Sequence, residues 1–185
     1  MNSLSLVSVI WFLSEVILAR LLKAKESGKN YDKSSLRILW ATILLSIFFG
    51  IFIIFTGIGH LSLPYIYLYS TGIAIILLGL LIRWIAILTL KKSFTVNVSV
   101  SENQHVVKNG LYKIIRHPSY TGSLLSFLGL AIAFNNWVTM VIIFFPILFA
   151  FLYRIKVEEA VLIEAFGDEY KEYINISKKL MPVIY

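Results

Sequence analysis

The sequence predicts an all-α integral membrane protein with about five transmembrane helices, a cytoplasmic loop and a C-terminal helix. Composition is the first observation: 58% of the 185 residues are hydrophobic, only 15% are charged, and the mean hydropathy is +0.82. The second is that the apolar residues fall into runs long enough to cross a bilayer. The third is that the 17 Lys and Arg residues avoid two of the connecting turns completely.

Composition also excludes several classes of site. The chain has no cysteine, which excludes disulfides, thiolate metal sites and cysteine nucleophiles. With three histidines, a histidine metal cluster is not expected, so we predict no bound metal. The net charge of +7 is interpreted as a marker of the cytoplasmic face of a membrane protein rather than of a nucleic-acid partner.

The first two predicted spans cover residues 4–22 and 36–56. Neither a preceding basic stretch nor a clear cleavage site marks the first run as a signal peptide, so we expect it to be retained. Glu15 lies inside it, where an ionised carboxylate is costly, and must either meet a partner within the bundle or stay protonated. We assign residues 1–56 to an N-terminal two-span hairpin and residues 57–185 to the functional core.

The third span covers residues 64–90, with Pro64 in its first turn. Gly72 and Gly79 are seven residues apart on one helix face, a spacing that allows close approach of a neighbouring helix. Arg83 lies about two turns inside the basic end of the helix. Two interpretations remain open: Arg83 extends to the interface, or it pairs with a buried or substrate carboxylate.

A long polar connection, residues 91–117, leads to the fourth span. Its alternating apolar residues at 94–101 predict an extended segment, so we expect an ordered loop over a site. Pro118 favours a helix start, and the fourth span is predicted to run over residues 118–134. Arg116, His117 and Tyr120 therefore surround a helix N-terminus, which either anchors the chain at the interface or holds an anionic ligand group.

The fifth span covers residues 137–153, and its helical periodicity continues beyond the membrane to Gly167. Asp168 is expected to cap a shorter final helix. Arg154 and Glu158 are four residues apart on this helix, so they share a face close to the membrane surface. That spacing is typical of an ordinary ion pair, but it lies on the same side of the membrane as the polar turn before Pro118.

Five spans predict a definite topology. If residues 20–37 lie inside, then residues 91–117 and the whole C-terminal region also lie inside. The two remaining turns then lie outside, and neither contains Lys or Arg. The positive-inside rule therefore predicts an outside N-terminus, a cytoplasmic C-terminus and a cytoplasmic functional site.

Several of these features occur together in one known family. The arginine-bearing third span (Arg83), H-x-V-x-x-G-x-Y at residues 105–112, RHPxY at 116–120, RxxxEE at 154–159 and FGDEYxxY at 166–173 resemble the isoprenylcysteine carboxyl methyltransferase family. Each motif is weak alone, but the combination is specific. The first two spans resemble this family only in being hydrophobic.

The resemblance implies a membrane enzyme that transfers a methyl group from S-adenosylmethionine to a carboxylate on a lipid-modified cysteine. It implies that Arg154 and Glu158 meet the reacting groups and that Arg83 contacts the lipidic or prenylated carboxylate substrate. It also implies a cytoplasmic cofactor-binding loop, with cofactor contacts from His105, Val106, Val107, Gly110, Tyr112, His117, Tyr120 and Glu159.

Three alternatives stay open at this point. Phospholipid N-methyltransferases are similar in the RHP and EE regions and differ in substrate, whereas membrane sterol reductases are similar in the C-terminal arrangement and use NADPH. A membrane scaffold without activity is the third alternative. The sequence has no glycine-rich strand-to-helix turn, so a nucleotide cofactor has to bind without a Rossmann unit.

Overall fold

The computed structural model describes residues 3–21, 34–90 and 105–181, and these residues are almost entirely helical. A short 3-10 helix, Gly110–Lys113, precedes the fourth of six α-helices. The α-helices are α1 (Ser3–Leu21), α2 (Ser34–Thr56), α3 (Tyr65–Leu90), α4 (Pro118–Ala133), α5 (Trp137–Phe166) and α6 (Asp168–Ile176). The extended segment predicted at residues 94–101 lies outside the described residues.

Apolar helices occupy all five predicted positions, and they differ in length. Within the described parts of the chain, α2, α3 and α5 are long and apolar enough to cross a membrane, whereas α1 and α4 are shorter apolar helices. α5 continues without interruption past its apolar part to Phe166, as predicted. The all-α fold is therefore confirmed, and three of its helices have the length of a membrane span.

α3 and α4 pack through glycines. A Cβ atom at Gly72 would lie 2.5 Å from the carbonyl oxygen of Gly129, and one at Gly79 would lie 2.5 Å from that of Gly122. Only hydrogen atoms fit between the two backbones at these crossings. The close approach predicted from the seven-residue glycine spacing in α3 is confirmed, and it places Arg83 directly beside α4.

α1 and α2 lie against different helices of the same bundle. The Tyr69 hydroxyl of α3 accepts a hydrogen bond from the Leu4 amide at 2.8 Å, at the start of α1. α2 lies along α5, where the Thr139 hydroxyl donates to the Gly50 carbonyl at 3.0 Å. The division at residue 56 stays a prediction.

The two uncharged turns meet at one end of the bundle. The Trp137 amide donates to the Gly59 carbonyl at 3.0 Å, and the Asn136 side chain donates to the Ile58 carbonyl at 2.7 Å. These contacts join the α2–α3 turn to the α4–α5 turn. They leave the start of α4 and all of α6 at the opposite end, where the polar residues predicted for a site collect.

The C-terminal segment returns to the start of α4, an arrangement that the sequence analysis did not predict. The Arg116 amide donates to the Lys178 carbonyl at 2.7 Å, and the His117 amide donates to the Lys179 carbonyl at 3.2 Å. One expectation needs correction: the residue before α6 is Gly167, with a φ of 56°, and Asp168 is the first helical residue rather than its cap. Glycine adopts this positive φ easily, so it separates α5 from α6.

Candidate active site

A cavity of about 460 Å³ lies among α1, α2, α4 and α5, with Arg83 entering from α3. One end is polar, and the rest is apolar. The charged and hydroxyl-bearing residues at the polar end are Glu15, Arg83, Tyr112, Arg116, His117, Ser119, Tyr120, Ser123, Arg154 and Glu158. Apolar walls continue along α2 and α4 and include Leu39, Ile43, Ile47, Ile51, Phe127, Leu130 and Phe134.

α5 contributes Arg154 and Glu158 to the polar end. The Arg154 side chain is buried, with 2% of the residue exposed, and its Nη1 donates to the Ser35 hydroxyl of α2 at 2.7 Å. The Glu158 carboxylate accepts a hydrogen bond from the Tyr120 hydroxyl at 2.7 Å. The helical spacing therefore directs a guanidinium and a carboxylate into one partly buried compartment, where charges interact more strongly than in water.

Arg83 and Glu15 form a two-point ion pair on the cavity wall. Nε and Nη2 of Arg83 donate to the two carboxylate oxygens of Glu15, both at 2.6 Å. Nη1 of Arg83 donates to the Ser123 hydroxyl at 2.9 Å and to the Ser119 carbonyl at 3.3 Å, both on α4. Of the alternatives that the sequence left open, the structure selects pairing for Arg83 and a bundle partner for Glu15.

Glu159 faces a different group of residues, all at the start of α4 or in the C-terminal segment. Its Oε1 accepts from Nε of Arg116 at 2.9 Å and lies 3.2 Å from Nε2 of His117. Its Oε2 lies 3.5 Å from Nζ of Lys179. Arg116 also donates to the carbonyls of Ile174 and Ser177, so Glu159 ties α5, α4 and the C-terminal segment together.

Aromatic side chains complete the polar end. Tyr112 lines the cavity, and its carbonyl accepts a hydrogen bond from the buried Tyr173 hydroxyl at 2.6 Å. Burial, with the charge of Glu158 second, raises the pKa of Tyr112 far above its usual range. His117 and Tyr120 stack with ring centroids 5.7 Å apart and an interplanar angle of 13°. Flat rings beside a carboxylate suit a planar, positively charged ligand.

The structure brings together most of the residues that the sequence analysis singled out, but not all of them. Arg83, Tyr112, His117, Tyr120, Arg154 and Glu158 line one cavity. Glu159 supports the wall from behind rather than lining it. The remaining four precede the 3-10 helix or begin it and are not among the lining residues: His105, Val106, Val107 and Gly110.

Several contributing residues were not found from the sequence. Ser35 and Lys179 were not singled out, and Tyr173 was noted only as the last residue of the FGDEYxxY motif, without a role of its own. Only the single acidic residue inside an apolar run, Glu15, gave a usable signal, because a carboxylate at that depth requires a partner. The others depend on contacts between distant parts of the chain.

Comparison with known proteins gives a consistent family. The sequence profile of the isoprenylcysteine carboxyl methyltransferase (ICMT) family matches residues 72–164. Protein-S-isoprenylcysteine O-methyltransferase A of Arabidopsis thaliana is 33% identical over 115 residues, which is 61% of this chain and 58% of the relative. The Saccharomyces cerevisiae protein-S-isoprenylcysteine O-methyltransferase is 41% identical over 106 residues, 56% of this chain and 44% of the relative.

The fold also matches a solved structure, that of a eukaryotic intramembrane Ras methyltransferase of the ICMT type. The TM-score is 0.65 at 24% sequence identity, over 96% of this chain and 64% of the other. The family match and the three long apolar helices of the described residues identify an integral membrane protein. The chain spans little more than half the length of the plant relatives that it matches, 53% and 58% for the two Arabidopsis thaliana proteins.

Proposed function

Because the chain belongs to the isoprenylcysteine carboxyl methyltransferase family, we propose that it methylates a carboxylate of a lipidic substrate inside the membrane. The single observation that carries this proposal is the division of the cavity into a charged end and an apolar body. A lipid-linked carboxylate has the same division. Its tail can be buried along α2 and α4 while its charged group reaches Arg154 and Arg83.

The methyl donor that we propose is S-adenosylmethionine, which supplies an activated methyl group on a positively charged sulfur. The polar end fits such a cofactor in two respects: it offers the carboxylate of Glu158 to positive charge and the stacked rings of His117 and Tyr120 to a planar base. The family resemblance adds His105, Val106, Val107, Gly110 and Tyr112 to the proposed cofactor contacts. Glu159 supports the same contacts through its bonds to Arg116 and His117.

The main contribution of this site to the reaction is to position the acceptor carboxylate. A carboxylate acceptor is already ionised at neutral pH, so its methylation requires no general base. Arg154 is suited to orient it, because a guanidinium fork binds a carboxylate through two parallel hydrogen bonds. Arg83 is a second carboxylate-binding group of the same kind on the facing wall. Exclusion of water by the apolar walls strengthens both interactions.

We also propose the membrane topology that the charge distribution predicts. Five membrane crossings place the polar end of the cavity and the C-terminus in the cytoplasm and the N-terminus outside. The pairing of the two uncharged turns at the opposite end of the bundle supports this arrangement. The relatives are protein-S-isoprenylcysteine O-methyltransferases, which suggests a prenylated cysteine as acceptor, and other lipidic carboxylates have the same chemistry.

The direct test is binding of S-adenosylmethionine to the purified protein in lipid nanodiscs by calorimetry, with NADPH as a parallel titrant. Transfer of tritiated methyl to N-acetyl-S-farnesylcysteine then tests the reaction. In Arg154→Lys, which keeps the charge but loses the fork, we expect kcat to fall by roughly 100-fold or more with methyl-donor binding retained. The matched control is Arg37→Lys, which makes the same change at an exposed position of α2 outside the cavity.

Two results would count against the proposal. Binding of NADPH without S-adenosylmethionine would assign the chain to the reductase alternative. Full methyl transfer by Arg154→Lys would remove the proposed orienting role, although the methyltransferase assignment would stand.

A further inference from the structure

Glu15 lies outside the part of the chain that matches the family profile, yet it lines the polar end of the cavity. Its carboxylate docks on Arg83 through two parallel hydrogen bonds of 2.6 Å. This is the geometry in which a guanidinium binds any carboxylate, including one carried by a ligand. Both side chains are mostly buried, with 14% of Arg83 and 20% of Glu15 exposed, and both line the cavity.

Arg83 does not depend on Glu15 alone for its orientation. Its Nη1 is held from the other side by the Ser123 hydroxyl and the Ser119 carbonyl of α4. In addition, its backbone is packed against α4, since a Cβ atom at Gly122 would lie 2.6 Å from the Arg83 nitrogen. The guanidinium would therefore keep its place if the Glu15 carboxylate moved away.

α1, which carries Glu15, forms one wall of the cavity by a single face. The lining residues of α1 recur at helical spacing: Ser8, Trp11, Phe12, Glu15 and Leu18. Its opposite side exposes Leu6, Ile10, Leu13 and Ile17, each about half exposed. A helix packed on one side only is able to adjust more easily than one enclosed by neighbours.

We propose that Glu15 is a specificity-determining residue whose carboxylate occupies the position on Arg83 that the acceptor carboxylate takes. This inference rests on the proposed function. An acceptor binds by displacing Glu15 and forming the same two hydrogen bonds, and the Glu15 carboxylate swings away from the guanidinium. Arg83 then still faces one carboxylate, while the displaced Glu15 carboxylate remains on α1, so acceptor binding adds one negative charge to the polar end of the cavity.

This exchange explains how the site would ignore small soluble carboxylates. Glu15 is tethered beside Arg83, so it competes at an effective concentration in the millimolar range or above. A small acid offers only its carboxylate and cannot match a tethered competitor. A lipidic acid also buries its tail along the apolar walls, and this burial of apolar surface offsets the loss of the Glu15 contact.

The test compares binding of N-acetyl-S-farnesylcysteine with binding of its uncharged carboxamide to protein in nanodiscs. Glu15→Gln removes the competitor, so we expect the Kd of the carboxylate to fall roughly tenfold, the order of one charge-assisted hydrogen bond. The Kd of the carboxamide should not change. Glu164→Gln makes the same chemical change at an exposed position of α5 and should affect neither ligand.

A structural role for Glu15 predicts the opposite result. If Glu15 only keeps the Arg83 side chain in its conformation, Glu15→Gln will weaken carboxylate binding or leave it unchanged. Either result would show that the proposal is wrong. Glu15→Asp retains the charge but is shorter by one methylene, so it tests a variant in which Arg83 keeps a counter-charge during folding. It should show a smaller gain in the same direction, and no gain would contradict the proposal.

Acetate supplies an independent readout. At millimolar concentration it should compete with the farnesylated carboxylate for binding to Glu15→Gln but not to the wild-type chain. Equal competition in the two proteins would refute the proposed exchange of carboxylates on Arg83. These binding measurements use no methyl donor. A wild-type protein that transfers methyl but shows no Glu15 effect would refute this inference alone, whereas a Glu15 effect without methyl transfer would refute the proposed function alone.

Discussion

Replacing Gly79 by alanine tests the contact on which the geometry of the site depends. Gly79 and Gly72 of α3 face Gly122 and Gly129 of α4, so the two backbones touch at two levels one heptad apart. A Cβ atom at Gly79 would lie 2.5 Å from the Gly122 carbonyl oxygen and 2.7 Å from the Ser126 nitrogen. Both neighbours are backbone atoms, which cannot rotate away.

The expected loss of stability in Gly79→Ala follows from these distances. Ordinary contacts to a Cβ atom begin near 3.4 Å, so α3 and α4 have to separate by almost 1 Å at this level to accept the methyl group. Forcing extra atoms into a closely packed interface destabilises a protein by about 1–3 kcal/mol. We expect the upper end of that range, because the obstruction is rigid and transmembrane helices associate largely through close packing.

Thermal unfolding in detergent measures the effect. At roughly 2–4 °C of Tm per kcal/mol for a chain of this size, Gly79→Ala should lower Tm by about 6–12 °C. Ala74→Val adds more volume at an exposed position of the same helix and should change Tm little. A Tm for Gly79→Ala equal to that of Ala74→Val would refute the reasoning, because it would show that the helices are not held at this distance.

Two further predictions concern the C-terminal contacts. Glu159→Gln removes the negative charge that faces Arg116 and Lys179, so we expect a loss of roughly 2–4 kcal/mol in the free energy of unfolding, measured by chemical denaturation. Unchanged stability together with lost methyl-donor binding would instead assign Glu159 to the cofactor. Burial raises the pKa of Tyr173 to about 12, although the charge of Arg116 and a hydrogen bond between Tyr173 and Ser177 lower it. A tyrosine in the unfolded chain ionises near pH 10. The stability that depends on the neutral hydroxyl should therefore be complete below about pH 10 and lost as the pH rises towards 12, and Tyr173→Phe should flatten this part of a Tm-against-pH profile.

Local sequence patterns were sufficient for the helices and for part of the site. The apolar runs predicted five helices at the observed positions, and Pro118 predicted the start of α4. The spacing of Gly72 and Gly79 predicted a close helix contact, because residues seven apart lie on one face of a helix. The depth of Glu15 predicted either a partner or a protonated side chain, since an isolated charge is unstable in an apolar bundle, and the structure pairs it with Arg83.

Other features depend on contacts that no local pattern encodes. Arg83 is separated by 68 residues from Glu15, and Tyr173 by 61 residues from the Tyr112 carbonyl that it binds. The contacts of Glu159 with Arg116, His117 and Lys179 were not predicted either, and its role at the cofactor stays a prediction. A carboxylate accepts bonds from whichever donors the fold brings near, and its neighbours along the chain do not determine which these are.

The helical character of this chain, its suitability for a membrane and the ionisable residues that accompany the family motifs all follow from the order of its amino acids. Helical period and hydrophobicity are properties of a few consecutive residues, so they can be read without a structure. The contact of Glu15 with Arg83 and the return of the C-terminal segment to the start of α4 become visible only in the folded chain. Those contacts join distant segments of the chain, so they exist only where the packed helices bring both partners together.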